Sequence, residues 1–386
     1  MRLLCLLFLV IVGSAVCAQA TDQARLLLPP EIAAVPGREI NLYFDNVVLH
    51  PRSDLLLFDV DCAKGRQQVE RWTWTPTAEE VGVFALTLKV ADLNGQTVAE
   101  GRTAIHVYPA DAGAGKPVTA LIVGDSLTGA MTYTDELVKL MAAPGNPQLT
   151  LIGTNAPYAD RPAVRNEGYG GWTAQRFVTL WGPEPVTAEG RRGRSPFLFE
   201  RDGKPVLDFQ QYCDAHSGGK GPDIITILLG CNDTFNARPE NLEASVGSFL
   251  THLDTLVTEF RRVRADTKIA LISLLPPAAS QDASGRVVGC AQTRWQYRRN
   301  VHRVIERTMA QYGGREAEHL FVVPAYVNLD CVHNYPVAEG PANARASGPG
   351  ATIIRQNNDV HPAASGYRQL ADSLYCWMKA VLATQP

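Results

Sequence analysis

The chain has 386 residues, 46% of them apolar and 19% charged, with a formal net charge of −3. That length accommodates two domains, one of them enzyme-sized, and the apolar content excludes wholesale disorder. No basic excess is available to neutralise phosphates, which argues against a nucleic-acid partner, and no polybasic membrane patch stands out.

In chain order, the N-terminus comes first and reads as an export signal. Arg2 precedes the apolar run LLCLLFLVIVGSAV and then Ala18-Gln19-Ala20, an A-x-A cleavage pattern. Residues 1–20 are therefore expected to be a signal peptide, cleaved near Ala20, and the product to be exported, either periplasmic or secreted. The run is too short for a permanent span. Ser14-Ala15-Val16 ahead of Cys17 lacks the pattern of a lipoprotein site, so ordinary cleavage is the reading. No later segment is apolar enough to cross a bilayer, and no integral membrane association is expected. Beyond the signal remain Cys62, Cys213, Cys231, Cys290, Cys331 and Cys376. Their wide spacing, with no C-x-x-C pair and no Cys/His cluster, supports no metal site. An oxidising compartment permits disulfides, but the spacing selects no pairing.

Residues 25–109 are strand-like. The runs REINLYFDNVVL, DLLLFDVDC, QVERWTWTP and GVFALTLKVADLNGQTVAEGRTAIHVYPA alternate and are broken by Pro, Gly and Asp. Asn94-Gly95 signals a hairpin with a type I′ turn. About seven short strands predict an accessory β-sandwich of immunoglobulin-like size. Trp72 and Trp74, two apart, share one side of a strand. A core tryptophan with a rim neighbour is favoured over a sugar-stacking platform.

Residues 110–116 (ADAGAGK) read as a linker. From 117 to 386 the rhythm changes to strand–helix alternation. Apolar runs at 118–124, 149–155, 223–230, 268–275 and 319–327 suit strands buried on both faces. Amphipathic stretches at 240–264 and 291–312, and a last segment after Pro362, suit helices. This predicts a doubly wound, mostly parallel α/β sheet.

Chemistry in such sheets collects at the carboxyl ends of strands. The first strand runs into Gly124-Asp125-Ser126-Leu127, and the second is followed by Asn166-Glu167-Gly168-Tyr169-Gly170-Gly171-Trp172-Thr173. The third ends in Gly230-Cys231-Asn232-Asp233, and Asn358-Asp359-Val360-His361-Pro362 precedes the last helix. Singly these are a turn serine, a loop, a capping asparagine and a structural histidine. The missing G-x-S-x-G elbow argues against an ordinary α/β-hydrolase. Cys231 reads as a packed thiol.

Together the four blocks, in this order, resemble the SGNH (GDSL-type) hydrolase family. The resemblance implies a flavodoxin-like three-layer α/β/α fold. It makes Ser126 the nucleophile, His361 its base, and the Ser126 and Gly171 amides with the Asn232 side chain the oxyanion donors. It implies no cofactor and no metal. The implied activity is an exported serine esterase, most directly one removing O-acetyl groups from a polysaccharide or glycan, with an acylated carbohydrate as partner. A lipolytic esterase or lysophospholipase is the alternative, and a carbohydrate-binding protein with a degenerate hydrolase domain a further one. The chain departs from the family's D-x-x-H pattern: Asn358 stands where the acid is expected, and the carboxylate is Asp359. Either residue could orient His361; Asp359 is favoured, because an ionised acceptor stabilises imidazolium better than an amide. The segment from Trp181 to Gly221, with Phe197, Phe199 and Arg191-Arg192-Gly193-Arg194, reads as a solvated loop before a binder of acidic sugar.

Overall fold

The computed structural model describes residues 24–183, 185 and 192–383. The expected signal peptide, 1–20, lies outside the described residues, as does Arg191.

The alternating N-terminal runs fold as nine strands: β1 (Arg25–Leu26), β2 (Glu31–Ala34), β3 (Ile40–Tyr43), β4 (Val48–Leu49), β5 (Leu57–Cys62), β6 (Arg66–Gln67), β7 (Arg71–Trp74), β8 (Gly82–Ala91) and β9 (Thr97–Val107). One sheet has the order β2-β9-β8-β5 and another β3-β7-β6, while β1 pairs with β4. Helix α1 (Phe44–Val47) interrupts the run after β3. Trp72 and Trp74 are only 2% and 8% exposed. They meet each other edge-on, and Trp74 meets Phe84 from the other sheet with ring centroids 5.1 Å apart. Both are core residues, so neither the rim position nor the sugar platform holds. The β8–β9 hairpin also differs from the type I′ expectation. Asp92 Oδ1 accepts from the Asn94 and Gln96 amides, and Gly95 alone of the pair has positive φ, so a carboxylate organises a longer turn.

Residues 110–115 form turns with Ala112 buried. A Cβ at Gly113 would lie 2.9 Å from Leu382, so this stretch is packed against the last helix.

The second region is built on β10 (Pro117–Gly124), β11 (Gln148–Ile152), β12 (Glu167–Gly168), β15 (Ile224–Leu228), β16 (Lys268–Ile272) and β17 (Leu320–Val323). Between them a hairpin of β13 (Leu198–Arg201) and β14 (Lys204–Leu207) precedes β15, and a second, of β18 (Val337–Pro341) and β19 (Thr352–Gln356), follows β17. The sheet order is β11-β10-β15-β16-β17, every pair is parallel, and β12 extends the edge beside β10. That is the flavodoxin-like order, with its switch point between β10 and β15. The expected run 319–327 divides because Pro324, without an N–H, ends β17 and starts a 3-10 turn.

Helices fill the crossovers: α2 (Ser126–Gly129), α3 (Thr132–Met141), α4 (Ala174–Thr179), α5 (Phe209–His216), α6 (Cys231–Thr234), α7 (Leu242–Val263), α8 (Gln281–Val288), α9 (Arg294–Tyr312) and α10 (Ala364–Ala383). In α7 the buried side chains Val246, Phe249, Leu250, Leu253, Leu256, Val257 and Phe260 recur at three- and four-residue spacing and cover the sheet. No described helix is long and apolar enough to cross a membrane. The six described cysteines are free thiols.

The two regions meet through buried polar bonds. Arg298, on α9, donates to Asp45 Oδ1 at 2.8 Å, to Val48 O at 2.6 Å and to Asp45 O. Asn46 Nδ2 donates to Tyr326 O and Leu329 O, both at 2.8 Å, and the Tyr326 hydroxyl donates to Leu27 O.

Candidate active site

β10 ends at Gly124, and the chain turns there into α2. Asp125 caps that helix, its Oδ1 accepting from Leu127 N at 2.9 Å. Ser126 follows as the first helical residue, half-buried at the sheet edge, and its N–H has no acceptor among the described residues. A free amide at a helix N-terminus is a donor aimed at whatever binds beside it.

The glycine block packs against the same turn. Asn166 Nδ2 donates to Thr128 O in α2, and Gly168 sits so close that a Cβ there would lie 2.5 Å from Gly129 N. Buried Glu167 anchors the block from below, accepting from Thr154 N, the Thr154 hydroxyl, Tyr212 at 2.7 Å and Tyr169. Residues 169–172 form a turn closed by Trp172 N on Tyr169 O at 3.2 Å. Gly171 takes its φ of +71°, the position of a type II turn that favours glycine. Gly170 and Gly171 are exposed, and the Gly171 N–H has no acceptor among the described residues.

After β15, Gly230 at φ +118° turns the chain into α6 and puts Asn232 across from Ser126's loop. Both hydrogens of its amide are engaged: Nδ2 donates to Trp172 O at 3.0 Å and to Asp125 Oδ2 at 3.3 Å. Asp233 accepts from Ala174 N at the start of α4. Burial pushes the Asp125 carboxyl up to about 7 against the pull of the Leu127 amide, and the Asp233 charge adds to the rise. Burial likewise lifts Asp233 to about 7, opposed by the Ala174 amide. The two acids were visible in the sequence only as motif neighbours; that Asp125 is enclosed and bonded to the Asn232 amide is tertiary information.

His361 Nε2 lies 2.8 Å from Ser126 Oγ. The imidazole is partly buried, which lowers its pKa from the ordinary value, and the charge of Asp359 opposes that fall. Asp359 is 1% exposed; burial pushes its carboxyl upward against the pull of the Ser284 side chain, and its Oδ1 has no close hydrogen-bond partner among the described residues. Asn358 Oδ1 accepts from Val360 N at 2.9 Å and His361 N at 2.8 Å. Its oxygen holds the backbone of the loop and does not touch the ring. Among the described residues no hydrogen bond joins Asp359 to the ring, and its charge favours the protonated imidazole.

Ser126, Gly171, Asn232, Asp359 and His361 thus gather at one sheet edge. Cys231 is buried, with Sγ 3.0 Å from the Tyr297 hydroxyl, and burial together with the nearby acids pushes its thiol upward, as fits a packed thiol. Phe197 sits in the turn before β13 but is buried among Phe177, Phe209, Tyr212 and Phe260 rather than solvated. Arg192 lies over Tyr169 at 5.5 Å and Arg194 over Trp181 at 4.3 Å, so these guanidiniums stack on aromatic rings. Among the described residues no group of three His, Cys, Asp or Glu could hold a metal ion.

The model of the family described as GDSL-like Lipase/Acylhydrolase matches residues 121–374. Among solved structures, the chain is similar to a Clostridium thermocellum family 3 carbohydrate esterase at 16% identity and a TM-score of 0.39, covering 69% of this chain and 98% of that one. A protein assigned as an arylesterase from Agrobacterium tumefaciens is similar at 18% identity and a TM-score of 0.39, covering 68% and 99%. An acetyl esterase variant holding an acetate ion is similar at 13% identity and a TM-score of 0.36, covering 69% and 98%. No curated protein matches the chain.

Proposed function

The chain belongs to the GDSL-like lipase/acylhydrolase family, and from that premise we propose that it is an exported serine esterase that removes O-acetyl groups from a polysaccharide or glycan through an acyl-enzyme. The observation that carries the hydrolase reading is the 2.8 Å contact between His361 Nε2 and Ser126 Oγ. A serine hydroxyl is a weak nucleophile until a neighbouring base takes its proton, and this distance allows that transfer.

In this reading Ser126 Oγ attacks the ester carbonyl while His361 Nε2 accepts the hydroxyl proton. The tetrahedral oxyanion takes the free amides of Ser126 and Gly171. Asn232 joins them by exchanging its longer bond, the 3.3 Å contact to Asp125, for one to the oxyanion. Its bond to Trp172 O is kept and fixes the amide plane. His361 returns the proton to the departing alcohol, a water repeats the sequence on the acyl group, and acetate leaves. Asp359 steadies the imidazolium throughout by charge. Ser126, Asn232 and His361 are only partly buried and Gly171 is exposed. An open edge of this kind suits an acetyl group carried on a bulky polymer.

Ser126→Ala, at a partly exposed hydroxyl, should leave the thermal transition unchanged and abolish nearly all aryl acetate hydrolysis. Substantial turnover by that variant sinks the reading. Acetate release from acetylated xylan and pectin, measured beside long-chain esters, tests the substrate class. Preference for the long chains moves the chain to the lipolytic alternative.

A further inference from the structure

A cavity of about 930 Å³ opens at the seam between the two regions, and Ser126, Asn232 and His361 are not among its lining residues. Its size is that of a ligand site. Two of its walls are strand edges. β2 is the end strand of the four-stranded sheet, and β17 the end strand of the parallel sheet. Pro30 O and Ala34 O accept from Ala104 N and Tyr108 N on the β9 side. Strand alternation then turns the backbone N–H and C=O of Glu31 and Ala33 away from β9. On the facing wall, His319 O and Val323 O accept from Ile269 N and Ser273 N on the β16 side, which turns the backbone groups of Val322 outward in the same way. Glu31, Ala33 and Val322 all line the cavity. α10 packs on both β2 and β17 and gives the slot an apolar floor that includes Trp377 and Val381.

We propose that this slot takes an extended, near-neutral polypeptide segment of a partner, which adds to the exposed edges as an extra strand with apolar side chains directed at the α10 floor. Unpaired main-chain donors and acceptors at strand spacing are what a peptide backbone complements and a glycan does not. Charge supports the same partner. Asp372 and Glu39 are already paired with Arg38 and Arg71. Glu31 is held by His106 and the Tyr108 hydroxyl, which leaves Glu316 and Lys268 as the slot's opposite charges, a balance that selects neither a basic nor an acidic segment. Ester hydrolysis plays no part in this binding.

The test uses the full chain and a blocked hexapeptide of alternating valine and serine, followed by titration calorimetry. A second peptide, N-methylated at alternate residues, keeps the side chains and removes the main-chain donors. Saturable binding is expected, weakened by about tenfold or more on N-methylation and in Ala33→Pro. Proline suits an edge position whose N–H faces outward, and the thermal transition reports whether the variant folds. Should it not fold, Val322→Pro and the peptide pair decide. Absence of binding overturns the proposal, as does equal binding of both peptides. So does displacement of the peptide by xylohexaose, or a dimer of the chain that Ala33→Pro dissolves, since these assign the slot to a glycan or to a second copy.

Discussion

At position 358 the side-chain oxygen already accepts from two backbone amides, so it has no free geometry left for the imidazole of His361. We propose that the orienting charge is that of Asp359. Asp359→Asn should lower kcat about a thousandfold. It should also displace the acid limb of the pH–kcat/KM profile. Burial holds the His361 pKa below its ordinary value and the Asp359 charge opposes that, so removing the charge lowers the pKa further. The base then stays unprotonated to lower pH, and the limb moves in the acid direction. Asn358→Ala loses a loop cap, with a stability cost of about 1 kcal/mol and a much smaller loss of kcat. A larger kcat loss in Asn358→Ala than in Asp359→Asn would reverse the assignment. A different residue pair governs stability. Asp125 and Asp233 are both raised to about 7, so protonation favours the folded state. Their stabilising contribution is complete below the ordinary carboxylate range and is lost as pH rises through about 7. The thermal transition should therefore fall between about pH 4 and pH 7 and level off above that, and Asp233→Asn should flatten that slope; an equally steep slope in the variant would contradict it. The two-residue spacing of Asp359 and His361 was plain in the sequence. The occupied oxygen of Asn358 and the enclosure of Asp125 were not, because both depend on atoms placed by the loop and the sheet.

Among the elements, the glycine block separates two uses of the same residue. Gly171 needs its positive φ for the turn, but a Cβ there would meet nothing within 4 Å. Gly168 has ordinary φ, yet a Cβ would collide with the backbone of Thr128 and Gly129, the helix that carries Ser126. Gly171→Ala should accordingly cost only about 1 kcal/mol of stability, and its kcat loss should come from a shifted amide. Gly168→Ala should cost about 3 kcal/mol and lower kcat as well, since α2 must move off β12. Denaturant midpoints of the two variants check this order, and equal midpoints would remove the distinction. Sequence reading identified the block as amide donors, a local property of glycine. The contact of Gly168 with Gly129 joins positions far apart in the chain and leaves no periodic trace. The strands show the same divide. Continuous apolar runs marked the buried parallel strands, whereas the two hairpins β13–β14 and β18–β19, short and mixed in composition, carry no such pattern.

For the molecule as a whole, the composition change near residue 112 marks where strands give way to strand–helix alternation, but it does not mark a loose joint. The core is continuous across it: Leu42, Val47 and Trp72 belong to the same buried cluster as Tyr326, Leu329 and Leu374. Polar groups reinforce the seam, with Asn41 donating to Asn328 Oδ1 at 2.9 Å and Arg298 reaching Asp45 and Val48. The Arg298 side chain is 8% exposed, and burial depresses its pKa while Asp45 supports the charge. A guanidinium held in this way costs more to strip of its partners than it contributes net, because what remains is an unpaired charge. Beginning the chain near Gly113 would uncover Tyr326 and the α10 face and leave Arg298 without acceptors. That truncated protein should be insoluble, or bind a hydrophobic dye and lack a cooperative transition. Arg298→Met asks the same question without truncation. It keeps the apolar stem and removes the donors, so it should destabilise the whole chain by about 3 kcal/mol in a single transition. Two separated transitions in Arg298→Met, or a truncated protein that melts like the parent, would show that the N-terminal strands fold apart from the esterase region and only visit it.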